Sequence, residues 1–219
     1  MARYHTLGEI PKKRHTTFEK TEGGLYQEEL FGTAGFSGIS SLLYHIYPPT
    51  VVKEVKDLGS VEPLIGIKKN MKALSFKGFS IQSEEDFLES RKTLFVNNDL
   101  HIGLAAPRGF SNEYFYKNAD ADEMLFIHKG TGKLKTCYGS ISFRYGDYIV
   151  IPKGVIYQID FDSEDNRILY VESFEPIFTP KRYRNNFGQL LEHSPFCERD
   201  FKLPENLETI DKKGDFKVK

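Results

Sequence analysis

Metal and catalytic sites need convergent His, Asp, Glu or Cys, because a metal takes several lone pairs and acid–base work takes perturbed pairs. The chain has 219 residues with six histidines and two cysteines. No histidine has a His partner two or four positions on. His5 and His15 lie in a basic leader with Lys12, Lys13 and Arg14, and His45 follows Leu42-Leu43-Tyr44. His101 precedes Ile102-Gly103-Leu104, His128 ends a strand-like run, and His193 follows Leu190-Leu191-Glu192. Each reads as a hydrogen-bonded structural or surface histidine, and a metalloenzyme built from His101, His128 or His193 with scattered carboxylates is the weakest functional reading. Cys137 and Cys197 have neither a zinc spacing nor a disulfide framework, and both are expected as buried thiols.

The glycine-rich Gly130-Thr131-Gly132-Lys133 invites an anion-cradle reading. A P-loop needs a glycine five before the Gly-Lys pair and a Ser or Thr after it; those positions hold Ile127 and Leu134. The segment is therefore expected to be a hairpin turn. Ser83 and Asp86 have capping-box spacing and predict one short helix over 84–92. In that reading Glu84, Glu85, Asp86 and Glu89 complement the helix dipole and need no catalytic role.

The surrounding pattern is β. Eighteen Phe and 12 Tyr, with no Trp, make the chain 14% aromatic, and aromatics suit pleated, half-buried strands. Six strands are predicted at 124–128, 133–137, 140–144, 148–151, 155–161 and 167–173. Glycine-bearing turns separate the early ones. Segments 25–31 and 41–47 also read as strands extending the same β structure. In Gly214-Asp215-Phe216-Lys217-Val218-Lys219 an alternating strand begins with Phe216 and Val218 as the sequence stops, which suggests truncation within a longer protein.

Thirty Lys and Arg against 31 Asp and Glu leave no global field for nucleic acid or anionic lipid, so neither nucleic-acid nor membrane partners are expected. No apolar run has the roughly 18 residues of a membrane span, and the first residues lack a secretory apolar stretch. A cytoplasmic location is expected.

Gly146, Pro152-Lys153-Gly154 and Tyr157 resemble the second motif of the cupin family, whose metal-binding members carry histidine where this chain has Tyr157. Aligning the first motif on Glu123 puts Tyr116 and Asn118 at its two histidine positions. Three of four ligands are absent, so the resemblance implies an all-β, cupin-like jelly roll without a metal site, with additional amino-terminal strands and one short helix. Asn118, Glu123 and Tyr157 would line any vestigial cavity, or simply pack and hydrogen-bond.

Longer stretches resemble the amino-terminal part of the homogentisate 1,2-dioxygenase family: Tyr4-His5-Thr6-Leu7-Gly8-Glu9-Ile10-Pro11, Arg14-His15-Thr16, 24–36 (GLYQEELFGTAGF), Leu42-Leu43-Tyr44-His45, 114–123 (YFYKNADADE), Tyr145-Gly146-Asp147-Tyr148, Tyr183-Arg184-Asn185 and 188–196 (GQLLEHSPF). The resemblance implies a metal-free amino-terminal jelly roll followed by a carboxy-terminal cupin domain. That second domain holds Fe(II) through two histidines and a glutamate and opens the ring of homogentisate with O2 to give maleylacetoacetate. Every iron-assigned residue of the family lies beyond Lys219, so no catalytic residue and no metal ligand is carried over, and no cofactor is expected on this chain. The implied organisation is an amino-terminal β segment over 1–75, the jelly roll over 76–180, and a linker over 181–219 toward a catalytic domain. Family members form trimers and hexamers, and Gln27 or Glu29, beside the glycines of 23–24, are candidates for an inter-subunit contact. The alternative is a free-standing cupin-like module for small-molecule binding or assembly.

Overall fold

We describe a computed structural model of the chain, in which residues 18–49, 51–66, 72–109, 113–204, 207 and 209–219 are described. The leader motifs 4–11 and 14–16, with His5 and His15, lie outside the described residues.

Ten strands follow one another: β1 Gln27–Ala34, β2 Ser37–His45, β3 Lys92–Val96, β4 Leu100–Ala105, β5 Asp122–Lys129, β6 Gly132–Thr136, β7 Gly139–Phe143, β8 Tyr148–Ile151, β9 Tyr157–Phe161 and β10 Arg167–Ser173. Strands β3 to β10 form a five-stranded sheet, ordered β3-β4-β10-β5-β8, and a three-stranded sheet, ordered β7-β6-β9. All of their strand pairings are antiparallel. The core sits between the sheets: Ala105, Leu125, Ile127, Ile151, Ile168 and Tyr170 from one meet Leu134, Phe143, Tyr157 and Ile159 from the other. Period-two alternation selects these residues, because successive side chains on a strand point to opposite faces. The result is the cupin-like jelly roll that the sequence implied.

Several expectations are corrected. Residues 84–92 form no helix: Glu84 bridges Pro107, the following residues make tight turns, and Lys92 already opens β3. The Asp86 carboxylate accepts from the backbone N–H groups of Leu88 (2.9 Å) and Glu89 (3.4 Å), an Asx-type turn that competes with helix. Ser83 caps nothing there and instead accepts from Arg167 at 3.0 Å. With no helix, Glu84, Glu85, Asp86 and Glu89 complement no dipole. The only helical pieces among the described residues are 3-10 turns at Gly78–Ser80, Lys181–Tyr183 and Glu198–Asp200.

The β1–β2 pair does not extend the jelly-roll sheets but forms its own two-stranded ribbon, tied to the core through Phe31, whose ring lies 5.9 Å from that of Tyr138. Strands β3 and β4 escaped the sequence pattern. Cys197 is buried as expected, but the Cys137 thiol is exposed, because its residue directly follows β6 at a turn. Gly130-Thr131 is not a hairpin turn: β5 and β6 do not pair, and the segment carries the chain from the five-stranded sheet to the three-stranded one, with Gly130 at φ 113° and the Asn166 side chain packed where a Cβ would stand.

Candidate functional site

The site is built around a residue that sequence reasoning missed. In the turn ending at Ser90, the Ser90 N–H donates to Asp86 O at 3.0 Å, and its hydroxyl donates to Phe87 O at 2.8 Å. The Tyr114 hydroxyl donates to the Asp86 carboxylate at 2.7 Å, which anchors the turn. Arg91 leaves this turn and enters the jelly roll.

Its guanidinium meets two carboxylates that face each other across the sheet. Glu123 on β5 and Glu172 on β10 are directly paired in register, each continuing the inward alternation of its strand. Like charges placed opposite on neighbouring strands repel, so a cation between them is required. Arg91 supplies it: Nη2 donates to Glu123 Oε1 and Nη1 donates to Glu172 Oε1 at 3.1 Å. The Arg91 side chain is 11% exposed and that of Glu123 is 1% exposed, so this ion pair is shielded from water. Rings sheathe the cation, with the guanidinium carbon 4.8 Å from the Phe87 centroid, 4.8 Å from Tyr170 and 5.6 Å from Tyr116. Such contacts favour a cation held over ring faces.

The remaining acceptors are closed by the residues the cupin motif singled out. The Tyr157 hydroxyl donates to Glu123 Oε2 at 2.7 Å. Asn118 Nδ2 donates to Glu172 Oε1 at 2.9 Å, and its Oδ1 accepts from the N–H of Ala121 at 3.0 Å. Tyr116 and Tyr157 exchange backbone hydrogen bonds, both 2.9 Å, with their rings edge-to-face at 5.4 Å. His101 Nδ1 lies 3.6 Å from Glu172 Oε2.

The electrostatics follow from this closure. Burial pushes the Tyr157 phenol far above its ordinary pKa, and Glu123 adds to the shift against the opposing pull of Arg91. Burial likewise raises Tyr116 to about 12, partly countered by Arg91. For Arg91 itself burial lowers the pKa, but the coulombic pull of Glu123, then Tyr157, Tyr116 and Glu172, outweighs it and the guanidinium is held charged.

The structure thus brings Asn118, Glu123 and Tyr157 together, as a packed and hydrogen-bonded network. These residues do not suit Fe(II). The one carboxylate at a cupin ligand position spends both oxygens on Arg91 and Tyr157, and the other positions offer phenol and amide. Among the described residues, no group of three or more His, Cys, Asp or Glu could hold a metal ion.

Gln27 and Glu29 are elsewhere, on the ribbon. Gln27 is exposed, and Glu29 accepts from His45 Nε2 at 2.7 Å. His128 stands on the opposite face of β5 from Glu123, its ring 4.5 Å from that of Phe79, beside an apolar cleft of about 330 Å³ lined by Phe76, Phe79, Leu104, Phe126 and Leu169. A polar cleft of about 630 Å³ lies near Arg108, Asp165 and Arg167. Asn118, Glu123 and Tyr157 line neither. No helix among the described residues is long and apolar enough to cross a membrane.

Comparison with known proteins adds the following. A family model described as "Homogentisate 1,2-dioxygenase N-terminal" matches residues 4–205. A Saccharolobus solfataricus protein named "Putative dioxygenase" is 39% identical over all of this chain and 56% of its own length. A homogentisate 1,2-dioxygenase of Nitrobacter hamburgensis is 30% identical over 80% of this chain and 43% of its own length. The chain therefore spans about half the length of these curated relatives. Among solved structures, a cupin-2 domain protein of Shewanella frigidimarina aligns over 38% of this chain and 79% of its own, at 27% identity and a TM-score of 0.34.

Proposed function

The chain belongs to the homogentisate 1,2-dioxygenase N-terminal family, and on that premise we propose that it is the non-catalytic amino-terminal half of an Fe(II)-dependent dioxygenase acting on homogentisate. The observation that carries this reading is the closed carboxylate of Glu123: the position a cupin uses for metal is filled by Arg91 and Tyr157, so this jelly roll serves as scaffold. In the whole enzyme, Fe(II) held by the other half supplies the redox chemistry that joins O2 to the aromatic ring. The work of this chain is positional. Its buried ion pair holds β5, β10 and the 86–91 turn in one register and presents a rigid body to the rest of the protein.

The reading extends to assembly as a trimer or hexamer, in the cytoplasm. Within that assembly Gln27, exposed at the start of β1, and Glu29, bonded to His45, are the proposed inter-subunit contacts, since a polar ribbon standing off the jelly roll can reach a neighbour's active site. Alanine at both positions in the full-length enzyme is expected to change apparent substrate affinity; unchanged kinetics would remove that role.

The test of the main reading is the intact mass of the native protein, captured from its source with an antibody to this region. A mass near twice 25.2 kDa supports it. A mass of 25.2 kDa overturns it in favour of a free-standing cupin-like module.

A further inference from the structure

An antiparallel sheet with one face in water alternates apolar and polar residues; a sheet buried on both faces is apolar on both. The five-stranded sheet carries apolar rows on both faces although its outer face is only partly covered. Its inner face packs the core. On its outer face the strand register aligns Leu104, Leu169, Phe126 and Tyr148 in one row across β4, β10, β5 and β8. A second row, Ile102, Val171, Met124 and Val150, runs beside it. Two apolar rows four strands wide are far more than the scattered single apolar residues of an ordinary surface.

The covering is partial. Tyr148 is 66% exposed, Val150 46% and, at the margin, Phe79 62%. The 3-10 turn Gly78–Ser80 approaches one end closely enough that a Cβ on Gly78 would stand 2.9 Å from Leu104 Cδ1. Between this turn and the sheet lies the 330 Å³ apolar cleft, an open socket of the kind that accepts a projecting aromatic or aliphatic anchor at a protein interface.

We propose that this outer face is the docking surface for the carboxy-terminal half of the longer protein. The inference rests on the reading of the chain as an amino-terminal half. The choice of occupant follows from the relatives, in which this region makes up 56% and 43% of the length, so a body of comparable size is covalently available to cover it. The docked half lies across β5 and β8 and inserts an apolar side chain beside Phe79.

Tyrosine-directed chemical labelling tests this, read by mass spectrometry at Tyr148 in the 219-residue chain and in the full-length protein. The expected result is severalfold slower labelling of Tyr148 in the full-length protein only. Val150→Lys, at an exposed position, is expected to restore labelling there while leaving the circular dichroism of the 219-residue chain unchanged. Fast labelling in both forms overturns the docking surface while a double-length mass keeps the half-enzyme reading. Slow, concentration-dependent labelling in both assigns the face to a second copy of this chain and also overturns the proposal. An intact mass of 25.2 kDa removes the half-enzyme reading and the docking surface together.

Discussion

The Tyr157 hydroxyl donates to Glu123 Oε2 at 2.7 Å while Arg91 takes Oε1 of the same carboxylate, so a position that metal-binding cupins keep open is shut from both sides. The pair is buried, and the energetics of breaking it are those of an uncompensated interior charge.

Replacing Arg91 with methionine leaves Glu123 and Glu172 facing each other without their cation. Truncating one partner of a buried ion pair costs about 3–5 kcal/mol, and chemical denaturation is expected to show a loss of that order. Adding Glu123→Gln to the same chain is expected to cost less than the sum of the single changes, because the residues share one network.

Tyr157→Phe removes only a hydroxyl. It leaves Glu123 Oε2 without its donor, and a buried acceptor so orphaned costs about 1–3 kcal/mol. The expected result is a lower denaturation midpoint with an unchanged denaturant slope.

Gly103 sits under the Tyr170 ring, where a Cβ would come within 2.5 Å of both Tyr170 and the Lys92 carbonyl. Gly103→Ala is expected to destabilise by about 1–3 kcal/mol, as overpacking does, and to disturb the 2.7 Å bond between the Tyr170 and Thr93 hydroxyls. Thermal melts compared with those of an alanine substitution at exposed Gly146, which unlike Gly103 has positive φ but nothing near its Cβ, separate crowding from backbone strain.

The raised phenols predict an alkaline limit. Tyr116 and Tyr138 are pushed up to about 12 and Tyr157 well above its ordinary value of 10.0. An unfolded tyrosine ionises near 10, so between these values the unfolded chain releases protons that the native chain keeps. Their contribution to stability is complete below pH 10 and is lost as pH rises through 12. Tyrosinate absorbance and circular dichroism followed together in base are expected to change in one cooperative step; ionisation of all the tyrosines well before unfolding would contradict the buried network.

Much of the jelly roll was legible because it obeys local rules. The predicted strands at 148–151 and 167–173 coincide with β8 and β10, since Gly146 and Gly154 flank the first and the polar run 162–166 precedes the second. The 84–92 segment misled for an equally local reason: an Asp that can stand at the N3 position of a capping box can equally close an Asx turn onto the N–H two residues on, as Asp86 does with Leu88, and tertiary contacts with Pro107 and Tyr114 decided between them. Arg91 carries no signal of its own, because its partners lie 32 and 81 positions away. Glu172 offered a hint, as a charge continuing the inward series Ile168 and Tyr170, but which cation answered it was visible only in three dimensions.

The chain's last residues are tied back by partners made long before them. Lys217 and Lys219 pair through their backbones with Phe115 and Lys117, and the Tyr47 hydroxyl donates at 2.6 Å to Asp211, 164 positions away. Contacts of such separation must first meet the entropy of closing a long loop. The ties of Tyr47 to Asp211 and of Phe115 to Val218 therefore cost more chain entropy to close than the neighbouring-strand pairings β6–β7 and β1–β2, and within this region they are the contacts that a loosened fold gives up first.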